Sequence, residues 1–323
     1  MAEEGGALRA VDDATVAGLR SKLLDNELPL PARYRALYAL RSAAGDAAGS
    51  ALRAALDPSA VPSALLRHDV AFCLGQRQDA SAVEALVCLL GDASEHPMVR
   101  HEAGEALGAI GTEQCLAPLR AHQEDACPEV AETCQLALQR VEHFAAAGAA
   151  EGGGVEASPY MSVDPTPPAP ADTPTDELRR VVLDDKADMF QRYRALFALR
   201  NRGGPDCAAI LTETFACGSA LLKHEVAYVL GQMLDGATTK ALVEVLGDST
   251  QAAMVRHEAA EALGAIAQPW TLKLLQEYAA DPEPIVADSC VVALDMLAFE
   301  ESGGFEYADT AAAQPPAELP VSG

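Results

Sequence analysis

The chain repeats itself over long stretches. Tyr34 to Arg41 reads YRALYALR and Tyr193 to Arg200 reads YRALFALR; Met98 to Ile110, MVRHEAGEALGAI, returns from Met254 to Ile266 as MVRHEAAEALGAI; Leu74-Gly75-Gln76 returns as Leu230-Gly231-Gln232. Such a duplication confines the fold to two copies of one unit. Within each copy a shorter period near 33 residues runs through apolar residues at helical spacing, with breaks at Asp57-Pro58, Gly91-Asp92 and Cys127-Pro128. One helical hairpin cannot bury its apolar stripe alone, so neighbours must stack. The pattern predicts an all-α chain, an α-solenoid of HEAT-like helical hairpins, about four per half, with every second helix on a concave wall. Period-two alternation is nearly absent, so sheet content should be close to nil.

Composition sets the boundaries. From Gly152 to Pro174 the chain reads GGGVEASPYMSVDPTPPAPADTP, with too few large apolar residues to pack and too many prolines for a helix. The expectation is a HEAT-repeat half over 1–147, a disordered linker over 148–175, a second half over 176–301 and a disordered tail over 302–323. The first dozen residues also read as unstructured. With half of its 323 residues apolar but only 5% aromatic, the chain can build a long thin core of Leu, Ala and Val. A formal net charge of −25 argues against nucleic acid and favours a cationic partner; solubility is an equal reason for it. Eight cysteines without CxxC spacing read as reduced residues. No secretory signal pattern and no membrane-length apolar run is present, which predicts a cytoplasmic protein with no membrane partner.

A basic-His-acid triplet occurs four times on the repeat grid: Arg67-His68-Asp69, Arg100-His101-Glu102, Lys223-His224-Glu225 and Arg256-His257-Glu258. The triplets of each half stand 33 residues apart, and the halves are offset by 156. At about 100° per residue, Ala103, Ala106, Leu107 and Ile110 form an apolar stripe that His101 and Glu105 oppose. His68 likewise opposes Val70 and Leu74, so these imidazoles should be presented rather than buried. Duplication supplies a control, because His96, His122 and His143 face Ala252, Tyr278 and Phe299 in the other half and read as helix-end or surface residues. Four imidazoles and four acids kept in both halves point to two metal ions. Two His and one carboxylate per ion is the facial arrangement of non-haem iron, and zinc accepts the same donors. The preceding basic residue would tether an acid such as Asp92 or Asp248 or stay solvated. Gly75, Gly108, Gly231 and Gly264 read as sites of close helix packing.

These motifs, with LGQ and HEAxEALGAI, resemble the deoxyhypusine hydroxylase family over nearly all of both halves. Related HEAT-like lyases share the repeat without the four His-acid pairs. The resemblance implies a di-iron monooxygenase that completes hypusine on a translation factor, using molecular oxygen as co-substrate and an external electron donor. It implies His68, His101 and Glu102 on one Fe2+ and His224, His257 and Glu258 on the other, with Asp69 and Glu225 facing the substrate and Glu105 and Glu261 adding negative charge. Asp69 departs from the family's Glu, and Phe72 opposite Tyr228 is a second asymmetry. The same residues would also suit a metal-free protein-binding scaffold or a binuclear zinc or manganese hydrolase.

Overall fold

A computed structural model describes residues 8–149 and 158–302. Each half is four helical hairpins. The first comprises α1 (Asp13–Leu24) with α2 (Leu30–Ser42), α3 (Asp46–Ala54) with α4 (Ala64–Gln76), α5 (Val83–Gly91) with α6 (Pro97–Ile110), and α7 (Glu113–His122) with α8 (Pro128–Ala149). The second comprises α9 (Thr175–Val182) with α10 (Met189–Arg202), α11 (Gly204–Glu213) with α12 (Ala220–Met233), α13 (Thr239–Gly247) with α14 (Ala253–Ile266), and α15 (Leu272–Tyr278) with α16 (Pro284–Glu301). Among the described residues β structure is limited to one isolated parallel bridge, Arg9 with Ala43. No helix there is long and apolar enough to cross a membrane.

Even-numbered helices line the inner wall, and their spacing is set by glycine on alanine. A Cβ added to Gly75 would stand 2.8 Å from the Ala106 Cα, and one on Gly264 would stand 2.7 Å from the Ala293 Cα. Gly108 on Ala137 and Gly231 on Ala262 repeat the contact. No side chain larger than hydrogen fits such an approach without displacing a neighbour.

The halves close on each other reciprocally: α8 packs on α10 and α12, while α16 packs on α2 and α4. Two serines clasp this seam. Ser63 caps α4 by accepting from Leu66 N–H and donates to Asp288 of α16 at 2.8 Å; Ser219 caps α12 and donates to Glu132 of α8 at 2.8 Å. One hydroxyl thus starts an inner helix and ties it to the opposite half.

The three arginines are buried anchors and Lys223 is half-buried, and none of the four pairs with Asp92 or Asp248, which corrects both partners expected for them. Arg100 and Arg256 each donate Nε to the last turn of the preceding outer helix, at Leu90 O and Leu246 O, and pair with Asp125 and Asp281. Arg67 pairs with Glu95, and Lys223 donates to Gln251. Asp92 and Asp248 instead accept from Ser94 and Thr250 in their own turns.

The expected unstructured linker is also corrected over residues 158–174. Asp164 holds Arg200 through two hydrogen bonds of 2.9 and 2.5 Å, and its carbonyl accepts from Arg140. Gln76 grips the Val163 backbone at both N–H and C=O, and Gln232 donates to Ser162. Polar contacts do what apolar burial does elsewhere, so hydropathy does not register this strap. Arg9 is likewise held, by backbone bonds to Ser42 and Ala44. Residues 1–7, 150–157 and 303–323, including nearly all of the expected tail, lie outside the described residues.

Candidate metal centre

Helices α4, α6, α12 and α14 each bring one imidazole to the seam between the halves. Ring centroids lie 5.5 Å apart for His68–His101, 5.2 Å for His224–His257, 5.4 Å for His68–His257 and 5.4 Å for His101–His224. The rings do point away from their own hairpin's apolar stripe. They are nonetheless buried, His101 and His257 with 0% exposure, because the opposite half covers them. A helical projection sees one hairpin and cannot anticipate that cover, which corrects the presented histidines expected from sequence.

The acids arrive with them. Glu102 Oε2 lies 3.4 Å from His68 Nε2, and Glu258 Oε2 lies 3.3 Å from His224 Nε2 and 3.9 Å from His257 Nε2. Donor atoms of His224, His257 and Glu258 fall within 4.8 Å of one another, as do those of His68, His101 and His224, and of His101, Glu102 and Glu105. The first-half set therefore touches the second half through His224. All six residues expected to hold metal are brought together, and Asp69, Glu225, Glu105 and Glu261 surround them.

Six of the eight ring nitrogens are buried without a hydrogen-bond partner: Nε2 of His68, both nitrogens of His101, both of His224, and Nε2 of His257. Each such atom costs about 1–3 kcal/mol when left unsatisfied, and Nε2 of all four rings is among them where the rings meet, which an ion explains. Imidazole nitrogen and carboxylate oxygen are the donors that iron and zinc accept. The residues present fit a metal.

Electrostatics separates the rings and gathers the acids. Burial and the neighbouring imidazoles hold His101 and His257 well below the ordinary histidine value. Burial opposes the charge on His68 too, but the Asp69 and Glu102 carboxylates outweigh it and raise that ring well above the ordinary value. Burial, then nearby carboxylates, push Glu105, Glu225 and Glu261 well above the usual carboxylate range. Burial and mutual repulsion thus favour the neutral form of these acids, and a cation placed among them would favour the ionised form.

The cluster has two ends. At the N-terminal ends of α6 and α14 a cavity of about 190 Å³ reaches His101, flanked by Met98, Met254, Cys127 and Glu129. At the other end Phe72 and Tyr228 meet edge to face across the seam at 5.8 Å, and the strap lies over Gln76 and Gln232. A larger cavity of about 750 Å³ runs beside the strap, between Arg140, Phe144 and Pro167, and holds no imidazole. His96 caps α6 through Nδ1, as a helix-end residue should.

Two site residues escaped sequence reasoning. Ser289 Oγ lies 3.4 Å from His257 Nδ1 and donates to Glu261 at 3.0 Å; its counterpart Thr133 is buried with an unpartnered hydroxyl. The signal was present, a β-hydroxyl at equivalent positions of both halves.

Residues 59–139 and 208–295 match HEAT repeats. Deoxyhypusine hydroxylase of Rattus norvegicus is 48% identical over 299 residues, covering 93% of this chain and 97% of its own length. The enzyme of Homo sapiens is 49% identical over 93% of this chain and 96% of its own length, and that of Arabidopsis thaliana 49% over 90% and 92%. The solved structure of human deoxyhypusine hydroxylase in complex with glycerol superposes with a TM-score of 0.84 at 49% identity, covering 88% of this chain and 96% of that one.

Proposed function

The chain belongs to the deoxyhypusine hydroxylase family and is a deoxyhypusine monooxygenase, and from that premise we propose that iron held by the four-histidine cluster carries its chemistry. His68, His101 and Glu102 would hold one ion and His224, His257 and Glu258 the other. The observation that supports this most is that Nε2 of all four rings is buried and partnerless where the rings meet. Bound iron supplies the activation of molecular oxygen that side chains cannot perform alone. The electrons come from an external donor.

The rest of the reading concerns the chain's own residues. The deoxyhypusine side chain of the translation factor carries protonated amines. It enters past Met98 and Met254, since the opposite end is crossed by Phe72, Tyr228 and the strap. Glu225, with Glu105 nearby, receives an ammonium group, and charge compensation returns these carboxyls towards their ionised form. Burial of the cluster keeps bulk water from the reacting carbon. The cytoplasm, where the translation factor works, is the expected location.

Metal analysis paired with turnover of a deoxyhypusine-bearing protein tests the proposal. Iron in the purified chain, and hydroxylation that a chelator abolishes and ferrous iron restores, are the expected results. Zinc or manganese as the activating ion would move the centre to hydrolytic chemistry, and full function without metal would leave a scaffold.

A further inference from the structure

Positions 69 and 225 are equivalent in the duplication, yet their side chains are engaged differently. Asp69 Oδ1 accepts a hydrogen bond from His68 Nδ1 at 2.7 Å, with both side chains buried. His224 Nδ1 has no partner, so Glu225 does not serve its ring as Asp69 serves His68. Length accounts for the difference. Nδ1 is the ring nitrogen nearer the backbone, so an aspartate carboxylate stands level with it, whereas a glutamate carries its oxygens about 1.5 Å farther out, the length of one more bond.

We infer that Asp69 is a positioning residue acting through His68: it holds the Nδ1–H, fixes the ring, and keeps Nε2 turned towards Glu102, so that Glu225 alone of the equivalent pair serves the substrate ammonium. The inference rests on the metal reading above. A histidine that ligates through one nitrogen needs its other nitrogen fixed, and a carboxylate partner both selects the tautomer and strengthens the donor. In the second half the equivalent service reaches a different ring: Ser289, bonded to Glu261, stands at His257 Nδ1. Each half thus steadies one imidazole, by unlike devices. The shorter acid at 69 converts a residue that the family resemblance assigns to substrate into one that serves the metal.

Ferrous titration of metal-free protein under argon, read by calorimetry, tests this on the parent chain, Asp69→Ala, Asp69→Glu and Glu225→Gln. Affinity for deoxyhypusine-bearing protein is then measured at saturating metal. Asp69→Ala is expected to weaken metal binding about 10–100-fold, the usual effect of losing such an outer partner. Asp69→Glu keeps the charge but overshoots the ring nitrogen, so it too should weaken metal, and it carries the test if the alanine variant fails to fold by circular dichroism. Both should bind substrate like the parent once loaded, while Glu225→Gln should do the reverse. Metal affinity at the parent level in both Asp69 variants, with weakened substrate binding, overturns the role of Asp69 alone. A parent chain that takes up no metal overturns this inference together with the metal reading.

Discussion

In the first half Gly75 and Gly108 seat on Ala106 and Ala137, and Ser63 clasps Asp288; in the second half Gly231 and Gly264 seat on Ala262 and Ala293, and Ser219 clasps Glu132. His68, His101 and Glu102 have their equivalents in His224, His257 and Glu258. The agreement ends one layer out. Asp69 faces Glu225, Phe72 faces Tyr228, His96 faces Ala252 and Thr133 faces Ser289. Two copies that keep their backbone spacing and the proposed metal donors while their surrounding groups diverge suit a symmetric centre facing an asymmetric substrate.

The largest effect should come from the shared donors. His101→Ala and His257→Ala are each expected to lower turnover by about three orders of magnitude or more, and by similar factors, since the ligands act as a unit. Parent-like turnover in either variant would break the symmetry of the centre. In metal-free protein, His101→Leu should be neutral or stabilising in a thermal melt, because it removes two buried polar atoms that have no partner.

Next comes the strap, where equivalent arginines have unequal surroundings. Arg200 is 1% exposed and depends on Asp164, whereas Arg41, its equivalent, lies over the Phe72 ring. Asp164→Ala removes the carboxylate from a buried guanidinium that keeps its bonds to Ser158, Asn201 and Gln232, and should cost about 1.5–3 kcal/mol in denaturant unfolding. Arg41→Ala should cost about 1 kcal/mol or less. A cost of Asp164→Ala no larger than that of Arg41→Ala would mean that Arg200 does not rely on the strap.

The Arg100–Asp125 and Arg256–Asp281 pairs should behave alike. Hydrogen bonding to the arginine is the main cause that holds each carboxyl below its ordinary value. A folded-state value below the unfolded one, about 3.9, stabilises above that pH and is lost as pH falls through the folded value. Asp125→Asn and Asp281→Asn should therefore each cost about 1.5–3 kcal/mol at neutral pH, with the gap from the parent closing in melts as pH falls through the lowered folded value. A gap independent of pH would assign the loss to packing.

The smallest effect separates two glycines. Gly75→Ala meets the Ala106 backbone at 2.8 Å, whereas Gly231→Ala meets Ala262 at 3.2 Å. The first should cost about 1–3 kcal/mol and the second less, by chemical denaturation. The reverse order would show that the two inner walls are not equally rigid.

Much of the molecule is legible in its sequence. The 156-residue offset and the 33-residue period specify stacked hairpins, and retention of the same two histidines in both copies, four in all, separates them from His96, His122 and His143. Close packing at the four glycines also follows from their place in the repeat. Burial of the imidazoles is not legible, because it depends on how one half covers the other. The partners of Arg67, Arg100 and Arg256 lie 25 to 28 residues away in loops, where no periodicity points. The strap is held by Gln76, Arg140, Arg200 and Gln232, contacts that a scan for apolar runs cannot register. The bond between Asp69 and His68 needs side-chain geometry, although the substitution that permits it stands in the sequence.

Ferrous binding stoichiometry of the metal-free chain tests most directly whether each half completes its own metal site. About two ions per chain are expected, with His68→Ala and His224→Ala each removing one. A single ion per chain, lost equally in both variants, would contradict this and place one metal among His68, His101 and His224 across the seam.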